Sequence, residues 1–148
     1  MKRFRHFLIA VLLTSSVMSL FLPIHANAIT GPSLIWSKST SGMIVQSSPT
    51  AISLDGGTKD IVVGGWQGTS RNSTGKVYGI RGEDGSDSPG WPKSTTKRVN
   101  SSPAVADINS DGSEEVFIGS GVAEYECSGG GMYSFANSGA QRFRFIGY

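Results

Sequence analysis

The chain repeats itself at a spacing of 54 to 55 residues, and this period restricts its fold more than any other feature. "IWSKSTSGMIVQSSPTA" begins at Ile35, and "GWPKSTTKRVNSSPAV" begins at Gly90. Trp36 and Trp91 stand 55 apart, and Lys38/Lys93, Gly64/Gly119, Gly75/Gly130 and Tyr78/Tyr133 keep that offset. The "SSP" triplets at Ser47 and Ser101 are 54 apart. The segment before the triplet is one residue longer in the first copy, and the segment after it one residue shorter. Insertions confined to loops, with the apolar runs left in step, mark a structural repeat rather than chance similarity.

Each unit reads as four strands. In the first they fall at about Pro49–Ile52, Asp60–Gly64, Lys76–Arg81 and around Trp91. In the second they fall at Pro103–Asp107, Glu115–Gly119, Gly131–Ala136 and Gln141–Phe145. Leu34–Trp36 reads as the last strand of a preceding unit. Turn residues separate the runs: "DGG" from Asp55, "EDGSDSPG" from Glu83, "SDG" from Ser110 and "NSG" from Asn137. No stretch after residue 28 holds a 3.6-residue period over ten residues, and the 20 glycines suit turns. "IVVGG" and "VFIGS" are continuous apolar runs, suited to inner strands covered on both faces. A repeated four-stranded unit of this length predicts an all-β protein built of β-propeller blades. Closure takes about 4 to 8 blades. The expectation is therefore an incomplete propeller, a fragment whose further blades come from missing sequence or from other chains.

One loop carries chemistry. "ADINSDGSEEVFIGSG", from Ala106, places Asp107, Asn109 and Asp111 at alternate positions, then Gly112, Ser113 and Glu115. A calcium loop needs several hard oxygens converging on one point and a tight turn to bring them round. Asp107, Asn109 and Asp111 supply positions one, three and five, the Ser113 main-chain carbonyl position seven, and Glu115 position nine. An EF-hand requires a bidentate carboxylate at position twelve and flanking helices. Ile118 stands there instead, inside a strand run, which excludes the EF-hand and dockerin types. The loop reads as a β-hairpin connection that holds calcium, the alternative to the metal being an "NSDG" turn with exposed acids.

The segment "SSPAVADINSDGSEEVFIGSG" followed by "GGMYSF" resembles the FG-GAP repeat, also called the VCBS or integrin-alpha-like repeat. "GKVYGI" and "DSPGWPKS" are similar to the later strands of bacterial members. The resemblance spans nearly all of residues 34 to 145. It implies a β-propeller with calcium held by Asp107, Asn109, Asp111, Ser113 through its backbone, and Glu115. Glu115 stands where the family prefers Asp. The first copy, "SPTAISLDGGTKDIVVGG", departs further: Ser53 replaces the first acid, the loop is shorter, and only Asp55 and Asp60 remain. Fewer charged donors in a shorter loop predict a degenerate site. The resemblance divides the chain into 29–46 (trailing strand and linker), 47–100 (repeat 1) and 101–148 (repeat 2, truncated).

The beginning, "MKRFRHFLIAVLLTSSVMSLFLPIHANA", has a basic start, an apolar stretch too short to span a bilayer, and Ala26-Asn27-Ala28 as a small-x-small site. It predicts a secretory signal peptide over residues 1–28, hence a secreted, periplasmic or cell-surface protein. The leader holds Lys2, Arg3 and Arg5 of the 13 basic residues and none of the 11 acidic ones, leaving 10 against 11, a net charge near −1. The apparent basicity belongs to export, so nucleic acid is not expected as a partner, nor a membrane after cleavage. Both histidines, His6 and His25, lie in the leader, which excludes His-based triads and imidazole zinc sites from the mature chain. The single cysteine, Cys127, excludes an internal disulfide.

Trp36, Trp66 and Trp91 could stack on carbohydrate, but the equivalence of Trp36 and Trp91 favours packing. Asn72 and Asn100 sit in N-x-S/T sequons. The reading is an exported, calcium-stabilised, non-catalytic module for a protein or carbohydrate ligand. The alternative is the N-terminal propeller part of a larger secreted polysaccharide- or peptide-degrading hydrolase.

Overall fold

The two Val- and Ile-rich runs become the central strands of two antiparallel sheets. The computed structural model describes residues 31–44, 46–70, 73–121 and 129–146. The expected leader over residues 1–28, Asn72 and Cys127 lie outside the described residues. The first sheet has the order β1 (Thr50–Ile52), β2 (Asp60–Trp66), β3 (Gly75–Ile80) and β4 (Lys93–Thr95). The second has β5 (Ala104–Ala106), β6 (Glu115–Ser120), β7 (Gly131–Phe135) and β8 (Gln141–Ile146) in the same order. Neighbours pair antiparallel throughout, and no helix occurs among the described residues. The protein is all-β.

The repeat seen in the sequence recurs in register and in hydrogen bonds. Val63 faces Tyr78, and 55 residues on Ile118 faces Tyr133. The Trp36 Nε1–H donates to the Gly82 carbonyl at 2.8 Å, as Trp91 does to Asn137 at 3.0 Å. Thr40 donates to the Gly42 carbonyl, and Thr95 to the Lys97 carbonyl, both at 2.6 Å. The Ser47 hydroxyl accepts the Gly64 N–H at 2.9 Å, and the Ser101 hydroxyl accepts that of Gly119 at 2.8 Å. Each such bond removes a backbone or side-chain polar group from the unsatisfied count.

The sheets stack head to tail. Ile52, Val62 and Val77 of the first sheet, with Leu54, Trp91 and Val99, form one buried cluster with Val116, Ile118, Tyr133 and Phe135 of the second. Residues paired across a ladder share a face, and the next residue along points the opposite way. Ile118 and Tyr133 are the counterparts of Val63 and Tyr78, which lie on the far face of the first sheet, packed with Ile80, Trp36 and Ile61. The front of one unit therefore meets the back of the next. Trp91 packs edge-on to Phe135 with centroids 5.6 Å apart, and Phe135 stacks on Tyr133 at 5.9 Å. The edge strands β1 and β5 run side by side: Thr50 Oγ1 donates to the Pro103 carbonyl at 2.8 Å, and Ser48 N–H donates to Ser102 Oγ at 2.9 Å.

Two expected strands differ. The fourth strand of the first unit is Lys93–Thr95 rather than around Trp91. Trp91 is drawn into the inter-sheet cluster, and Pro92 has no N–H to give a ladder, so pairing begins at Lys93. Leu34–Trp36 forms no strand; Leu34 and Ile35 are exposed while the Trp36 indole packs on the first sheet. Met43 makes the backbone bridge there, to Trp66.

Close approach of the sheets depends on position 64. A Cβ on Gly64 would lie 2.2 Å from Val99 Cγ1 and 3.2 Å from Ile118 Cδ1, whereas on its counterpart Gly119 it would meet only Ser101, at 3.2 Å. Gly64→Ala should therefore destabilise by about 1–3 kcal/mol, the usual cost of overpacking, and Gly119→Ala by clearly less. Urea denaturation of the two variants beside wild type checks the difference; equal losses would mean that the inter-sheet contact is not the tight one.

Candidate metal centre

Asp107 to Glu114 connect β5 to β6 as the hairpin that the sequence predicts, and Glu115 is the first residue of β6. Two left-handed residues close the loop, Ser110 at φ 58° and Gly112 at φ 84°. Gly112 takes this conformation freely; Ser110 is held there at a cost by the bonds around it. Asp107 accepts from two backbone amides, Asp111 N–H at 3.2 Å and Gly112 N–H at 2.8 Å. Asn109 Oδ1 accepts from Asp111 N–H at 3.1 Å, and its amide donates to Asp111 Oδ2 at 2.7 Å. Asp111 Oδ1 accepts from Ser113 N–H at 2.9 Å. These are the local side-chain-to-backbone bonds that Asp and Asn favour in turns.

Glu115 is different, being 0% exposed. Its Oε2 accepts the Ile108 N–H at 3.2 Å. Its Oε1 accepts no hydrogen bond, although Arg142 Nη2 stands 2.8 Å away; the contact is one of charge, without a bonding angle. The same Nη2 donates a long hydrogen bond, 3.4 Å, to Asp111 Oδ2. A buried carboxylate requires a counter-charge, and here the guanidinium supplies it. Among the described residues no three His, Cys, Asp or Glu side chains gather as a metal cluster. Asp107 is turned to the loop amides, and Arg142 stands between Asp111 and Glu115.

The first hairpin carries fewer acids. Asp60, the counterpart of Glu115, is 1% exposed, and its Oδ2 accepts the Leu54 N–H at 3.3 Å. Asp55 accepts from Gly57 N–H at 3.0 Å and pairs with Arg81 Nη2 at 2.6 Å. The two hairpins lie at one end of the stack, where Lys59 Nζ meets Glu114 Oε2 at 3.6 Å.

The sequence pointed to the acids and missed the arginines. Arg142 sits at a β-bulge: Ser134 pairs with Phe143, but Phe135 pairs with Gln141, so Arg142 is the extra residue. Regular pairing would set it opposite Phe135, on the face where Arg144 covers the Tyr133 ring at 5.2 Å. The bulge releases its side chain toward the hairpin. Alternation in "QRFR" gives no sign of this.

The tryptophans are engaged in packing. Trp91 is buried; Trp66 is half-buried, donates from Nε1 to Asn100 Oδ1 and lies under the Arg98 guanidinium at 4.3 Å. Comparison of the chain with protein-family models, with curated proteins and with solved structures finds no match.

The hydrogen bond from Asn109, then the Ser113 N–H and the Arg142 charge, hold the Asp111 carboxyl below the usual carboxylate range. A folded-state pKa below the unfolded one adds stability above about pH 4 that is lost as pH falls through the folded value. Asp111 is exposed, so the contribution is small. Asp111→Asn should melt below wild type at neutral pH in chelator, and the gap should close as pH drops below about 4. Melting curves across that range check it; a gap that persists in acid would assign the loss to shape rather than charge.

Proposed function

We propose that the chain is an exported, calcium-stabilised β-propeller module of the FG-GAP, VCBS or integrin-alpha-like kind, non-catalytic, which binds a protein or a glycan through its loops. Residues 1–28 serve as its export signal, and residues 47–100 and 101–148 are two successive blades. Three features support the blade reading: the four-stranded units, their stacking front to back, and the contact of the equivalent edge strands β1 and β5. Stacking of this kind propagates, because each unit leaves a face for another of the same sort. On the second sheet that face carries Phe117, Phe143 and Phe145, with centroids 6.1 and 5.2 Å apart.

The observation that carries the calcium reading is Glu115, a fully buried carboxylate whose Oε1 accepts no hydrogen bond, beside a loop of oxygen donors. Carboxylate, amide and main-chain oxygens are the donors that calcium takes. Asp107, Asn109, Asp111, the Ser113 carbonyl and Glu115 would hold it. The ion would supply fixed positive charge, clamping the two strand ends of the hairpin and so the edge that the loop presents. Asp55 and Asp60 alone make the first hairpin a poor site. A non-catalytic role is supported by the engagement of Asp55, Asp84, Asp107 and Asp111 in turn hydrogen bonds and of Glu115 in the hairpin.

Calcium at millimolar concentration, the regime of extracellular modules, should raise the melting temperature of the secreted protein, and EDTA should reverse the rise. Asp111→Ala should abolish it. A melting temperature indifferent to calcium, chelator and mutation would overturn the metal reading.

A further inference from the structure

We infer that Arg142 is an internal cation that holds the hairpin closed without metal and that calcium must displace; this rests on the calcium reading above. One nitrogen, Arg142 Nη2, lies 2.8 Å from Glu115 Oε1 and 3.4 Å from Asp111 Oδ2. Those two acids are positions nine and five of the loop. Calcium binds oxygen at about 2.3–2.6 Å, so an ion shared by the same two carboxylates would need the space and the charge that the guanidinium now supplies. Two cations cannot both sit there: like charges repel, and Glu115 is wholly buried, where screening is weak.

Arg142 is built to leave. Its side chain is 36% exposed, its contact with Glu115 lacks hydrogen-bond geometry, its hydrogen bond to Asp111 is long at 3.4 Å, and it sits at a bulge that frees it from the ladder. The first hairpin shows the contrast. Arg81 reaches Asp55 in a hydrogen-bonded pair at 2.6 Å and does not bridge to Asp60, whose Oδ2 takes the Leu54 N–H. Arg81 is thus a fixed turn partner, and Arg142 a counter-ion shared between two prospective ligands. The consequence is a threshold. In low calcium the guanidinium neutralises Glu115 and keeps the hairpin formed; in high calcium the ion takes Asp111 and Glu115, and the guanidinium swings to solvent. Affinity is lowered by the work of displacing it, which sets the loop to respond at the higher calcium levels met outside a cell.

The test is a calcium titration of the whole secreted protein, read by melting temperature and by isothermal calorimetry, for wild type, Arg142→Gln, Arg142→Lys and Arg81→Gln. Arg142→Gln should melt lower than wild type in EDTA yet bind calcium about 5-fold tighter or more, the scale of a modest coupling between two ligands of one site. Arg142→Lys keeps the charge and should remain near wild type. Arg81→Gln, at the other hairpin, should leave calcium affinity unchanged. Unchanged or weaker affinity in Arg142→Gln, with wild type still responding, would overturn the competition and leave the calcium reading standing. No response in any of the four proteins would overturn both, and a lower melting point of Arg142→Gln in EDTA would then identify a permanent ion pair.

Discussion

The bare backbone at Gly64 and Gly79 is where the two sheets come together, and the remainder of the fold rests on that contact. Val99 and Ile118 descend on Gly64, and the Trp91 indole lies against Gly79, where a Cβ would be 2.6 Å from its Cγ. A sheet that is hydrophobic on one face must bury that face against another element. Joined at this seam, the sheets bury Ile52, Val62, Val77, Val99, Val116, Ile118 and Phe135 completely or nearly so, each worth about 1.5–3 kcal/mol of apolar transfer. Glu115, the first residue of β6, alternates with Val116 and so points away from that seam; it is buried within its own hairpin, against the Ile108 N–H and Arg142.

Charge at this end of the stack is balanced by arginine and lysine reaching across strands. Arg81 answers Asp55, Arg142 answers Asp111 and Glu115, and Lys59 links the first hairpin to Glu114 of the second. The pairs differ in consequence because they differ in burial. An exposed pair such as Lys59 and Glu114 contributes little to stability, whereas a guanidinium beside a fully buried carboxylate cannot be removed without replacement. The geometry of this hairpin is therefore tied to the contact between Glu115 and Arg142.

The unit is also directional. The back of the second sheet is covered by the front of the first, while its own front keeps Phe145 62% and Met132 40% exposed. An aromatic row of this kind on a sheet face marks an interaction surface. In the propeller proposed above, a further sheet covers it, placed as the second sheet is placed on the first.

Much of this was legible in the chain itself. The 55-residue period set the number of strands and the identity of the buried rows, since an apolar run is bound to one face or both by the two-residue pleat. "IVVGG" and "VFIGS" became β2 and β6, and "SDG" became the left-handed turn of the hairpin. The strand expected around Trp91 moved to Lys93–Thr95, because burying an indole outweighed extending a ladder through a proline. Local pattern thus determined the strands, the turns and the row of oxygens from Asp107 to Glu115, all properties of neighbouring residues. Only the tertiary structure decided which face of one sheet meets which face of the next, that Glu115 is fully buried, and that Arg142 faces it. The last of these follows from one extra residue at the Ser134–Phe135 bulge, which changes where a side chain points without altering any periodicity that a sequence displays.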